Sequence, residues 1–197
     1  MRRLALIVLV PLLVAACATS VKRLEVDEIK DVSGHWNDTD SQMVAKEMIR
    51  DALSHPWVDQ FRRAHTDHPP VLIVGAIRNR STEHIDTNTF VNDLQRAILN
   101  SGEATFVAAP DERDQVREER DAQAGFTDEA SRSFHGAERG ADYMLLGSVD
   151  SIVDQEGRRA VVFYQVNLEL VDMRTNRKVW IGDKKIKKYV KRAAARL

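Results

Sequence analysis

Residues 159–190 constrain this chain more than any other stretch. In RAVVFYQVNLELVD, Val162, Tyr164, Val166, Leu168 and Leu170 occupy every second position, with Phe163, Gln165, Asn167 and Glu169 between them. Successive side chains of a strand point to opposite faces, so the pattern predicts a strand with one apolar and one mixed face. Two further strand-like runs flank it: DYMLLGSVDSIV before and KVWIGDKKIKKYV after. The connecting segments DQEGR and MRTNR suit hairpins.

Helical spacing dominates upstream. Val44, Met48, Ile49, Ala52 and Leu53 form one apolar stripe, with Asp38 or Asp40 placed to cap the helix. Pro56 bends or restarts it, Trp57, Val58 and Phe61 add a second patch, and Pro69-Pro70 ends it. VLIVGAI (71–77) is a nearly continuous apolar run, the pattern of a strand covered on both faces. Phe90, Val91, Leu94, Ala97, Ile98 and Leu99 predict an amphipathic helix that stops near Gly102. A short strand is expected in ATFVAA, a charged helix in PDERDQVREERDAQA, and a further helix from Thr127 or Asp128 to Gly140. This order predicts an α+β fold: a small mixed sheet of about four to five strands flanked by helices.

The N-terminus carries Arg2 and Arg3, an apolar run from Leu4 to Ala16, and then Cys17, the only cysteine of the 197 residues. A basic region, an apolar core too short to span a bilayer and small residues before a cut site are the layout of a secretory signal. Val14-Ala15-Ala16-Cys17 resembles a bacterial lipobox, in which the cysteine is acylated and becomes the new N-terminus. The expected organisation is a signal peptide (1–16), a lipidated tether (17–35), a globular domain (36–190) and a basic tail (191–197). Ala18 after the cysteine favours sorting to the outer membrane, with the domain facing the periplasm. With Cys17 used for lipid, no thiol remains for a disulfide, a metal or nucleophilic catalysis. From Cys17 to Trp36 a chain of about 19 residues spans at most roughly 65 Å and has a root-mean-square span of about 25 Å.

The formal net charge of −1 gives no general attraction to nucleic acid. No nucleophile elbow, phosphate loop or dinucleotide fingerprint is present, so no enzyme and no cofactor are expected. His65-x-x-His68 lacks further ligands and reads as a solvated helix end. The Asp38-Thr39-Asp40 run is better explained by helix capping than by a cation. Binding residues are expected in the polar loop after the first strand: Arg78, Asn79, Arg80, Glu83 and His84, with Arg78, Arg80 and Glu83 exposed. Loops at carboxyl strand ends in open α/β sheets are frequent binding positions. Lys187 and Lys188 are added from the Lys-rich final strand, where lysine either blocks edge pairing or attracts anionic groups such as a protein surface, lipid phosphates or wall carboxylates. The charged helix over Glu112–Asp121 is a solvated face or the rim of a partner site.

The segments SGHWNDTDS, IVGAIRNRSTEHIDT, ADYMLLGSVDSIVDQEG, VVFYQVNLELVD and KVWIGDKKIKKY resemble the LpoB family over residues 32–190. That resemblance implies an outer-membrane lipoprotein whose domain is similar to the N-terminal domain of TolB. It also implies a partner, a class A bifunctional penicillin-binding protein, whose glycosyltransferase and transpeptidase activities it stimulates in peptidoglycan synthesis. The best-known members carry a long Pro-rich tether, which this sequence lacks. GADYMLLGSV followed by LVDMRTNRKVW is also similar to export-channel lipoproteins of related fold, so an oligomeric structural or export-assembly role is the alternative.

Overall fold

The computed structural model of the protein describes residues 21–25, 28–133, 136 and 138–192. Cys17 and the expected signal peptide lie outside the described residues. The elements are α1 (Asp38–Ser54), α2 (Trp57–Ala64), β1 (Val71–Asn79), α3 (Asn88–Ser101), β2 (Thr105–Phe106), α4 (Pro110–Phe126), β3 (Tyr143–Glu156), β4 (Arg159–Asp172) and β5 (Lys178–Lys191). The fold is mixed α+β, with one five-stranded sheet in the order β2-β1-β3-β4-β5. β1 pairs in parallel with β2 and β3, while β3, β4 and β5 form an antiparallel meander of 14-residue strands.

Alternation on β4 is the organising fact. Val162, Tyr164, Val166, Leu168 and Leu170 are buried among Val44 and Met48 of α1 and Phe90, Leu94 and Ile98 of α3. Gly147 lies opposite Leu168 in the register. A Cβ there would stand 2.4 Å from the Asn167 carbonyl oxygen, so the close strand approach requires glycine. The β3–β4 turn uses Gly157 at φ 56°, a left-handed position that suits two-residue hairpins. Asp142 fixes the start of β1: its carboxylate accepts from Val71 N–H at 2.9 Å and its own N–H donates to Val71 O at 2.7 Å.

Several expectations are corrected. The cap of α1 is Asn37, not Asp38 or Asp40. Asn37 Oδ1 accepts from Asp40 N–H and Asp40 Oδ2 accepts from Asn37 N–H, a reciprocal capping box. The strand expected in ATFVAA is only Thr105–Phe106. Residues 127–133 form turns and bends instead of starting a helix, and 138–142 are also non-helical. That segment offers Ala130 as its one apolar residue before Phe134, too little to bury a helix face. It serves α4 instead. Glu138 binds Arg117 at 2.8 Å and Arg120 at 2.9 Å, and the Arg117 hydrogen bond chiefly holds its carboxyl at a pKa of about 2. β1 is covered on both faces only at its start: Val71, Leu72 and Ile73 are buried in succession, whereas Ala76 within the apolar run, and Arg78 and Asn79 after it, are exposed. The sheet centre is β3, and β1 lies beside it.

Candidate partner-binding face

Strand parity separates the expected binding residues into two sets. Across β3, β4 and β5 the register aligns Ser148, Asn167 and Asp183 in one row and Asp150, Gln165 and Lys185 in the next. These rows lie on the face opposite the core, and their residues are partly or fully exposed. Arg78, paired with Ser148, joins this outward face at the end of β1. Arg80 follows, with its N–H donating to Val149 O at 2.8 Å and its guanidinium 3.4 Å from Asp150. Asp150 also accepts from Ser148 Oγ at 2.7 Å and Asn167 Nδ2 at 3.4 Å. A shallow depression of about 300 Å³ opens here, walled by Arg78, Arg80, Leu146, Asn167, Glu169 and Ile181. Two of its walls are the cations Arg78 and Arg80, Glu169 is engaged by Lys178, and Leu146 and Ile181 are apolar, an arrangement suited to an anionic side chain flanked by aliphatic groups. Lys187 is on the same outward face, in the row of Ile152 and Phe163.

The other expected residues do different work. Asn79 shapes the loop: its Nδ2 donates to Glu83 O at 2.8 Å and its Oδ1 accepts from Ser81 N–H at 3.0 Å. His84 is exposed and stands apart. Glu83, expected outside, is turned inward with 15% of its side chain exposed. It accepts from Tyr164 Oη at 2.6 Å and Trp36 N–H at 2.9 Å, and its carboxylate meets His35 Nδ1 at 3.0 Å. Lys188 is likewise internal. Its Nζ lies 2.6 Å from Asp40, 3.1 Å from Asp31 and 3.0 Å from His35 O. Glu83 and Lys188 are therefore the anchors of a strap, residues 31–36, of which the sequence reading placed 31–35 in the tether. Gly34 passes so close to β5 that a Cβ would lie 2.0 Å from Val190 Cγ2. Trp36 then packs edge-on against Tyr164 at 5.4 Å.

The electrostatics of the strap follow from this packing. Burial raises the Glu83 pKa, but the Tyr164, Trp36 and His35 hydrogen bonds outweigh it and hold the carboxyl below its ordinary 4.5. Burial, reinforced by Glu83, pushes the Tyr164 hydroxyl upward. A depressed carboxyl contributes stability that is complete above the unfolded-state pKa of 4.5 and is lost as pH falls through the lower folded-state value. Denaturation midpoints measured over this acid range should therefore fall more steeply for the parent than for Glu83→Gln. Equal acid slopes for the two would remove Glu83 from the strap's support.

Remaining candidates are structural. His65 stacks on Phe61 at 4.2 Å, and His68 Nδ1 meets Pro69 O at 2.8 Å. Among the described residues, no three His, Cys, Asp or Glu side chains are arranged to hold a metal. Among the same residues, no helix is long and apolar enough to cross a membrane.

Residues 40–186 match the family described as peptidoglycan-synthase activator LpoB. Among solved structures, the chain is similar to the LpoB C-terminal domain from Escherichia coli, at 19% identity and a TM-score of 0.40, covering 73% of this chain and 98% of that one. It is also similar to the LpoB C-terminal domain from Salmonella enterica, at 19% identity and a TM-score of 0.35, covering 68% and 94%. A third is lipoprotein GNA1162 from Neisseria meningitidis, at 20% identity and a TM-score of 0.39, covering 64% and 88%. No curated protein matches the chain significantly.

Proposed function

The chain belongs to the LpoB family of peptidoglycan-synthase activators, and on that premise we propose that it binds a class A bifunctional penicillin-binding protein and stimulates it without turning over any substrate itself. The observation that carries this reading is the family match over residues 40–186, which takes in both the meander and the helices that cover it. The outward face around Arg78 and Arg80 supports it as the contact. Its side chains are charged and accessible, Arg78 on paired β1 and Arg80 just after it with its N–H bonded to Val149 O, so their backbone positions are set before a partner arrives. Stimulation is a shift of populations: binding must favour the active state of the synthase over its inactive one.

The same proposal places the protein at the periplasmic side of the outer membrane, held by acyl groups on Cys17. Two or more chains at about 0.8 kcal/mol per buried methylene give stable anchoring. Sorting to the outer membrane rests on Ala18 following the cysteine.

Adding the protein to a purified class A synthase with lipid-linked substrate should raise the rate of glycan polymerisation and of cross-linking. The protein alone should leave the same substrate and finished peptidoglycan unchanged. A synthase rate indifferent to the protein, or turnover by the protein alone, overturns the reading.

A further inference from the structure

The strap joins the fold at one end of the sheet, and the surface there is distinctive. The β3–β4 hairpin turns at Gly157-Arg158 and β5 finishes beside it, with Arg192 N–H donating to Arg158 O at 2.9 Å. On the outward face the register sets Ile152, Phe163 and Lys187 in one row, then Asp154, Val161 and Tyr189, then Glu156, Arg159 and Lys191. Ile152 is 67% exposed and Tyr189 64%. Arg158, Arg159, Lys187, Lys191 and Arg192 are exposed. None of the five forms an ion pair among the described residues, unlike Lys184, Lys185 and Lys188 on the same strand. Within these rows the acidic residues are Asp154 and Glu156. Edge protection explains lysine on β5, but not arginine at a hairpin tip beside exposed Ile152 and Tyr189.

We propose that this end of the sheet docks on anionic phospholipid headgroups of the membrane that carries the lipid anchor. The inference rests on the anchoring proposed above. Chain connectivity selects the occupant. The strap is pinned from Asp31 onward by Lys188 and Glu83, so about 14 residues separate Cys17 from the first fixed point, at most roughly 50 Å when fully extended. The hairpin end is where that strap enters: Val32, Ser33 and His35 wall a cavity of about 580 Å³ together with Val153, Val190 and Arg192. The part of the fold tied nearest to the anchor therefore carries the unpaired cations. Charge and chemistry agree with that placement. Lys and Arg are attracted to an anionic leaflet over about one Debye length, and tyrosine with aliphatic neighbours suits the headgroup boundary.

The test uses the lipidated full chain with Ile152→Cys carrying a polarity-sensitive fluorophore; acylated Cys17 takes no label. It is reconstituted on phosphatidylcholine vesicles with or without phosphatidylglycerol. The expected result is a blue shift only on vesicles containing phosphatidylglycerol, reversed by high salt. The same fluorophore at Thr66→Cys, exposed before β1 at the far end of the sheet, should not respond. Lys187→Gln with Lys191→Gln should reduce the docked fraction on the order of tenfold, and Lys187→Arg with Lys191→Arg should retain it. Because both lysines are exposed and unpaired, folding is preserved in these variants. A signal indifferent to phosphatidylglycerol, or one that appears only when a synthase is added, overturns the proposal; the second outcome assigns this end to an acidic protein surface. Failure to float with neutral vesicles would count against the anchor alone. In that case the difference between anionic and neutral vesicles still decides the docking end.

Discussion

Lys188→Met is expected to lower the unfolding free energy by about 3–5 kcal/mol, the cost of breaking a buried ion pair from one side. Lys188 has 12% of its side chain exposed and Asp40 only 2%, with 2.6 Å between their charges. Removing the ammonium strands the Asp40 carboxylate behind the strap, with Asn37 N–H as its remaining hydrogen-bond donor. It also removes the group whose hydrogen bond chiefly lowers the Asp31 pKa, so the strap loses its second tie at the same time. Adding Asp40→Asn to Lys188→Met should recover part of the loss, because a neutral amide tolerates the site and can still serve the capping box. Urea denaturation of the single and double variants decides this. A loss below about 1 kcal/mol for Lys188→Met would be the behaviour of an exposed surface pair.

Arg78→Glu with Arg80→Glu should abolish stimulation of the synthase and weaken its binding on the order of 10–100-fold, with the thermal midpoint nearly unchanged. Only Arg80 has an ion-pair partner among the described residues, Asp150 at 3.4 Å, and both groups of that pair are more than a third exposed. Its loss costs at most about 1 kcal/mol. Reversing two charges on the rim of a depression repels an anionic partner without disturbing the core behind β3. Titration of the synthase, alongside thermal melts, separates the two effects. Unaltered affinity would move the contact away from the outward face.

The elements were legible where one apolar period ran without interruption. β4 reads from its alternation and α3 from Phe90, Val91, Leu94 and Ile98 followed by Gly102, which takes φ 71° as the C-cap. Parity also carried information that residue type alone obscured. Lys188 shares the parity of Trp180 and Ile186 on β5, so counting by twos from those buried residues predicts an inward lysine. Glu83 gave no comparable local signal, because its partner Tyr164 is 81 residues away. The strap was hidden for the same reason. Gly34 and Trp36 stand out in a polar stretch, yet only β5 shows why that glycine is needed. Of the expected binding residues, Arg78, Arg80 and Lys187 share a face, while Glu83 and Lys188 hold the fold together.

The parallel pairing of β1 sets the order in which the protein can assemble. β3, β4 and β5 are joined by short turns, so their ladders close small loops and can form early. β1 reaches β3 only across a separation of 71 residues, as between Val71 and Asp142. Closing that distance costs chain entropy before any contact rewards it, so β1 is expected to dock after the meander has formed. Until it docks, one edge of β3 stays open to strands of other molecules. A chaperone that shields apolar strand edges would therefore find the β3 edge only in the interval between meander closure and β1 docking; the edge that persists afterwards, β5, is the lysine-rich one.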